Sequence, residues 1–146
     1  VYKNFEPYKN LRGIMWKLSQ AGFFLAVATN QTDVANGHIH VAEIQKMHIK
    51  LAKVLPIDAF QVCYHNDSHD CGCRKPKPGM VQQLALHYQL DLENSYLIGD
   101  RWREMDMDVP CKKIFIDRKY PADRRPSVEP FATLNSEVNV VADTAK

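Results

Sequence analysis

The feature that most constrains this chain is a series of short apolar runs, each ending abruptly in polar residues and each separated from the next by a stretch of helical period. Phe23 to Ala28 reads FFLAVA, Ala59 to Tyr64 reads AFQVCY, Ser95 to Ile98 precedes Gly99-Asp100, and Lys113 to Asp117 reads KIFID. Runs this short, with little polar alternation, suit strands buried on both faces, as in a parallel sheet. Between them, Tyr8 to Ala21 carries Leu11, Ile14, Met15 and Leu18 at helical spacing, with Gly22 as a stop. His38 to Val54 predicts a second helix, with Val41, Ile44, Met47, Ile49, Leu51 and Val54 on its buried side. Pro78 suits the first turn of a helix continuing from Met80 to Leu90, and a short helical piece spans Arg103 to Asp108. Lys113 to Asp117 is the last clear strand, Tyr120 to Pro130 reads as loop, and Ser136 to Lys146 as a weak terminal helix. Alternating helix and strand predict an α/β fold, a doubly wound, Rossmann-like, mostly parallel sheet. Residues 1–146 are expected to form a single domain.

Composition narrows the partners. A net charge of +2 is too small to argue for nucleic acid or a membrane surface. The basic residues cluster only briefly, at Arg74-Lys75-Pro76-Lys77 and Arg124-Arg125. No stretch reaches the ~18–20 apolar residues of a membrane span, and no charged-then-apolar leader opens the chain. A cytoplasmic monomer acting on a small molecule is the expectation.

Three of the four cysteines crowd into the segment Cys63-x-His65-x5-Cys71-x-Cys73, while Cys111 stands apart. Cys71 and Cys73 are too close in sequence to bridge well to each other, and metal ligation in a reducing compartment is the better reading. Thiolate and imidazole are the ligands zinc prefers, and four of them close a structural site with no open position for catalysis. His69 competes with His65 for the fourth place, the symmetric C-x-H and C-x-C pairs favouring His65. Free cysteines beside a surface histidine are the plainer alternative.

In open α/β sheets ligands bind beyond the carboxyl ends of the strands. Thr29-Asn30-Gln31, Arg74-Lys75 and Gly99-Asp100-Arg101 all follow strands, on that edge. A threonine hydroxyl and turn N–H groups can bind a phosphoryl oxygen. Lys75 brings positive charge ahead of a helix start, and Asp100 is a hard oxygen donor suited to magnesium. Singly, each is also an ordinary turn, surface lysine or strand-end aspartate.

Taken in order, Val27-Ala28-Thr29-Asn30-Gln31, Cys73-Arg74-Lys75-Pro76-Lys77-Pro78-Gly79-Met80 and Leu97-Ile98-Gly99-Asp100-Arg101 resemble motifs two, three and four of the haloacid dehalogenase superfamily. The cysteine loop just ahead of R-K-P is similar to that of the subgroup of heptose-bisphosphate and histidinol-phosphate phosphatases. The resemblance covers about Phe5 to Asp117. It implies a phosphatase without a large cap domain, working through an aspartyl-phosphate. In that reading Thr29 bonds the transferring phosphoryl group, with Asn30 and Gln31 shaping the pocket. Lys75 neutralises its charge, Arg74 and Arg101 contact substrate, and Asp100 holds magnesium. Cys63, His65, Cys71 and Cys73 hold zinc. Heptose 1,7-bisphosphate is the implied substrate and histidinol phosphate the alternative. A non-catalytic, zinc-stabilised binding module is the reading from another class.

The sequence departs from that pattern in four places. The first motif, D-x-D-G-T, is absent, and Val1 to Ala28 contains no aspartate. An N-terminally truncated chain, inactive alone, is therefore expected. Thr32-Asp33 stands where the family has Ser-Gly, Asn36 replaces an arginine before Gly37, and Glu104 replaces an aspartate.

Overall fold

The computed structural model describes residues 7–8 and 10–135, so the expected helix from Ser136 lies outside the described residues. The chain divides into two compact units, Val1–Cys71 and Gly72–Lys146, the division falling inside the cysteine-rich loop. All strand pairing among the described residues is parallel, in one two-stranded and one three-stranded sheet.

In the first unit, helix α1 (Leu11–Gln20) ends where Gly22 takes φ of +96°. The Gly22 N–H then reaches the Ser19 carbonyl and the Phe23 N–H the Leu18 carbonyl, closing the helix with two reversed bonds. Strand β1 (Ala26–Asn30) starts three residues later than FFLAVA suggests. The reason lies in its partner, β2 (Ala59–Cys63). Asp58 caps the start of the ladder, its carboxylate accepting from the Leu25 N–H at 2.8 Å while its own N–H donates to the Leu25 carbonyl. Phe23 and Phe24 precede that point and remain 45% and 39% exposed.

A one-turn helix α2 (Thr32–Ala35) and helix α3 (Val41–Val54) make the crossover between β1 and β2. The His40 ring caps α3 by accepting from the Ala42 N–H. Of the apolar positions expected to be buried, Ile44 is, but Ile49 and Val54 are exposed. Leu11, Met15 and Leu55 form the core of this unit, with Leu25, Leu51 and Ile57 packed on them.

In the second unit, helix α4 (Gly79–Tyr88) leads to strand β3 (Tyr96–Gly99). Helix α5 (Trp102–Met105) crosses to β4 (Lys112–Asp117). A helix-free crossover then reaches β5 (Ala132–Asn135), a strand that the sequence pattern did not predict. Val81, Met107 and Cys111 form a core with Leu92, Leu97 and Val109. Burial raises the pKa of the Cys111 thiol, so this cysteine packs as an apolar side chain. Among the described residues no helix is long and apolar enough to cross a membrane.

Gly79 is fixed by close approach. Its N–H donates to the Gly72 carbonyl at 3.0 Å, and a Cβ there would collide with that carbonyl. Because the obstacle is backbone, Gly79→Ala is expected to destabilise the chain by about 1–3 kcal/mol. Urea denaturation should show this as a lower midpoint with an unchanged slope.

Candidate active site and metal loop

The cysteine loop begins where β2 ends. The ladder pairs Asn30 with Cys63, and the Gln31 N–H donates to the Cys63 carbonyl at 2.8 Å, so the turn after β1 and the root of the loop are joined. Ligand atoms of Cys63, His65, Cys71 and Cys73 all lie within 4.8 Å of one another. Cys63 Sγ is 3.5 Å from His65 Nδ1 and 3.7 Å from Cys71 Sγ. A tetrahedral zinc with ordinary bond lengths sets such edges at about 3.6 Å for S···N and about 3.8 Å for S···S. The donor set suits zinc, and these two distances match its edges. Cys63 is fully buried, and none of the four cysteines is in a disulfide. The geometry also separates the two histidines, because His69 Nδ1 accepts from the Asn66 N–H at 3.1 Å and caps the short turn Asp67–His69.

At the carboxyl end of β1, Gln31 Nε2 donates to Thr29 Oγ1 at 3.0 Å. With one oxygen lone pair so engaged, the Thr29 hydroxyl proton is directed away from Gln31 and can be given to an anion. Asp33 is exposed and sits 3.4 Å from His38 Nδ1.

In the second unit, Glu104 joins Lys75, in the segment ahead of α4, to the end of β3. It is only 7% exposed, and its Oε1 accepts from Lys75 Nζ at 2.5 Å. Its Oε2 accepts from the Arg101 N–H at 3.2 Å. This is possible because Gly99 has no side chain: a Cβ there would come within 2.5 Å of Glu104 Cγ and 2.7 Å of Oε2. Lys75, which precedes a cis peptide to Pro76, is held at its carbonyl by Arg103 Nη1 at 3.1 Å. Asp100, just past β3, accepts from the Tyr120 hydroxyl at 2.7 Å and lies 3.4 Å from Arg118 Nε. The Arg101 guanidinium stacks 4.1 Å above the Tyr120 ring and 3.5 Å from Asp123. Arg74 closes a turn through its carbonyl, which accepts from the Lys77 N–H. Arg103, Arg118 and Tyr120 carried no motif in the sequence. Arg118 alone left a signal, directly after a strand on the same edge.

The loop after β4 is pinned from below. Asp106 accepts from the Ser127 and Val128 N–H groups, the Ser127 hydroxyl and Arg124. Arg124 also stacks 3.5 Å from the Trp102 ring. Burial works to raise the pKa of Asp106, but the bonds from Ser127, Arg124 and Val128 outweigh it and the net shift is downward. Asp117 is likewise lowered, chiefly by the bond from Arg125. Depressed carboxylates stabilise the fold fully above their unfolded pKa, about 3.9, and lose that contribution as pH falls through the lowered folded value. Stability should thus drop below about pH 4, and Asp106→Asn should flatten that drop in urea titrations at pH 5 and pH 3.

A Rossmann-like α/β chain with Thr-Asn and Gly-Asp at two strand ends and R-K-P ahead of a helix is of the haloacid dehalogenase type. A family model described as polynucleotide kinase 3 phosphatase matches residues 4–124, and the chain belongs to that family. Two curated relatives are named D-glycero-beta-D-manno-heptose-1,7-bisphosphate 7-phosphatase. That of Pseudomonas aeruginosa is 36% identical over 107 residues, covering 68% of this chain and 60% of the relative. That of Pseudomonas putida is 40% identical over 89 residues, covering 58% and 51%. The chain thus spans roughly half to three-fifths of the length of these relatives. The crystal structure of D,D-heptose 1,7-bisphosphate phosphatase from B. bronchiseptica, complexed with magnesium and phosphate, superposes with a TM-score of 0.73. It is 28% identical, over 90% of this chain and 76% of that one.

Proposed function

We propose that this chain is the greater part of a magnesium-dependent phosphatase that removes the 7-phosphate of heptose 1,7-bisphosphate. The observation that carries the reading is Glu104, which ties Lys75 to the Gly99-Asp100-Arg101 strand end and so unites a phosphoryl-binding cation with a magnesium-type carboxylate. The names of the curated relatives support the sugar bisphosphate as substrate. Lys75 neutralises the transferring group, Thr29 donates its hydroxyl to a phosphoryl oxygen, and Asn30 and Gln31 shape the turn around it. Arg74 and Arg101 bind the rest of the substrate. Asp100 holds magnesium, as the magnesium and phosphate of the B. bronchiseptica structure suggest. Bound there, the ion neutralises phosphoryl charge; phosphoryl transfer is mostly positioning and charge neutralisation. The reaction runs through an aspartyl-phosphate on a D-x-D-G-T segment that these 146 residues do not contain. Cys63, His65, Cys71 and Cys73 hold a structural zinc. The modest charge favours a small cytoplasmic substrate over nucleic acid, and a monomer suffices for such a site.

The test is phosphate release by the full-length protein from heptose 1,7-bisphosphate, histidinol phosphate and a 3′-phosphorylated oligonucleotide, the last because of the family description. Preference for the sugar bisphosphate by 100-fold or so in kcat/KM, about 2.7 kcal/mol, is the expected result. Preference for either competitor overturns the substrate. No turnover of any of the three moves the binding-module reading to the front.

A further inference from the structure

Tyr120 lies in the crossover after β4, where the sequence shows only loop, yet it touches both side chains that follow β3. Its hydroxyl donates to Asp100 Oδ2 at 2.7 Å, and its ring lies 4.1 Å beneath the Arg101 guanidinium. The same carboxylate oxygen is 3.4 Å from Arg118 Nε. Arg101 is held from another side by Asp123 at 3.5 Å. The crossover that carries Tyr120 is itself anchored, by Asp106 on Ser127 and Val128 and by Arg125 on Asp117. The phenol is therefore presented by a fixed backbone.

We infer that Tyr120 is a positioning residue, whose hydroxyl orients Asp100 for a divalent cation and whose ring orients Arg101 for the anionic substrate. The inference rests on the assignment of Asp100 to magnesium above. With Oδ2 bonded by Tyr120 and Arg118 ion-paired to it at 3.4 Å, the carboxylate is offered in one orientation. Partners of this kind around metal-binding carboxylates are worth ~10–100-fold in affinity when removed. The ring acts separately, because an arginine stacked on an aromatic face loses less freedom on binding an anion than one that must first be ordered.

The two roles separate by substitution. In the full-length protein, Mn2+ binding followed by electron paramagnetic resonance reads the first, and KM for heptose 1,7-bisphosphate reads the second. Tyr120→Phe keeps the ring and loses the hydroxyl: Mn2+ affinity should fall about 10-fold with KM at saturating cation unchanged. Tyr120→Leu loses both, and KM should rise as well. Asp100→Asn is the reference. If it leaves Mn2+ binding intact, the magnesium assignment fails and this inference with it. If it abolishes binding while Tyr120→Phe binds Mn2+ like the parent, Tyr120 alone is overturned. A Tyr120→Phe protein that melts earlier yet binds Mn2+ unchanged when folded would mark a purely structural tyrosine and would overturn the positioning role equally.

Discussion

Cys63→Ser is expected to release bound zinc and to lower the melting temperature by about 10 °C or more, the largest stability change of any single substitution in the first unit. Cys63 ends β2, is fully buried, and stands 3.5 Å and 3.7 Å from two of the other three ligand atoms. The loop it anchors has almost no apolar content between Tyr64 and Cys73, and residues Asp67 to Asp70 are exposed, so hydrophobic burial contributes little to its order. Zinc bound by such a set contributes about 10–16 kcal/mol in small zinc-dependent folds, and coupling a quarter of that to this loop would produce the expected shift. The consequence extends past the loop. Gly72 and Cys73 precede Lys75, and the Gly72 carbonyl receives the first N–H of α4, so loosening the cysteines also loosens the segment that carries Lys75. Chelation of the parent protein should reproduce the Cys63→Ser melting curve, and zinc readdition should reverse the first but not the second. His69→Ala should leave zinc bound, since its Nδ1 serves the Asn66 N–H. A parent protein that purifies without zinc and melts identically in chelator would contradict all of this.

The strand ends were legible because an apolar run that gives way to polar residues near Asn30 or Gly99 marks the end of a parallel strand. Every pairing among the described residues is indeed parallel. What escaped depended on partners remote in sequence. FFLAVA does not begin its ladder at Phe23, because β2 begins only at Ala59 and Asp58 caps the pair at Leu25. Ile49 falls on the outer face of α3, between Ile44 and Leu51, which share the inner one. The ATLN strand is too short to carry a pattern, and only the crossover from Asp117 lays it beside β4. At the site, Glu104 was visible as a retained carboxylate, but its hold on Lys75 requires the missing Cβ of Gly99. Tyr120 was invisible for the same reason: a loop tyrosine has no periodicity, and only the pinned crossover brings it to Asp100.

If the proposed function holds, Lys75→Met in the full-length protein should abolish turnover and destabilise the second unit together, and the two losses can be pulled apart. The pair it breaks is nearly dry, with Lys75 and Glu104 side chains 12% and 9% exposed. Removing one partner of such a pair costs about 3–5 kcal/mol, because the remaining charge stays buried, whereas replacing both can be neutral. Inactivity of Lys75→Met alone would therefore say little about catalysis. In Lys75→Met/Glu104→Gln the neutral amide oxygen can still accept from the Arg101 N–H, and no buried charge is left uncompensated. Urea denaturation should return that double variant to within about 1 kcal/mol of the parent. Phosphate release should nevertheless remain down by about 100-fold or more, since no other group replaces the lost cation at the transferring phosphoryl. If turnover recovers along with stability, Lys75 is a scaffold for the β3 end and the phosphoryl site lies elsewhere. If stability recovers and turnover does not, the ammonium acts on substrate, and the buried glutamate serves to hold it there.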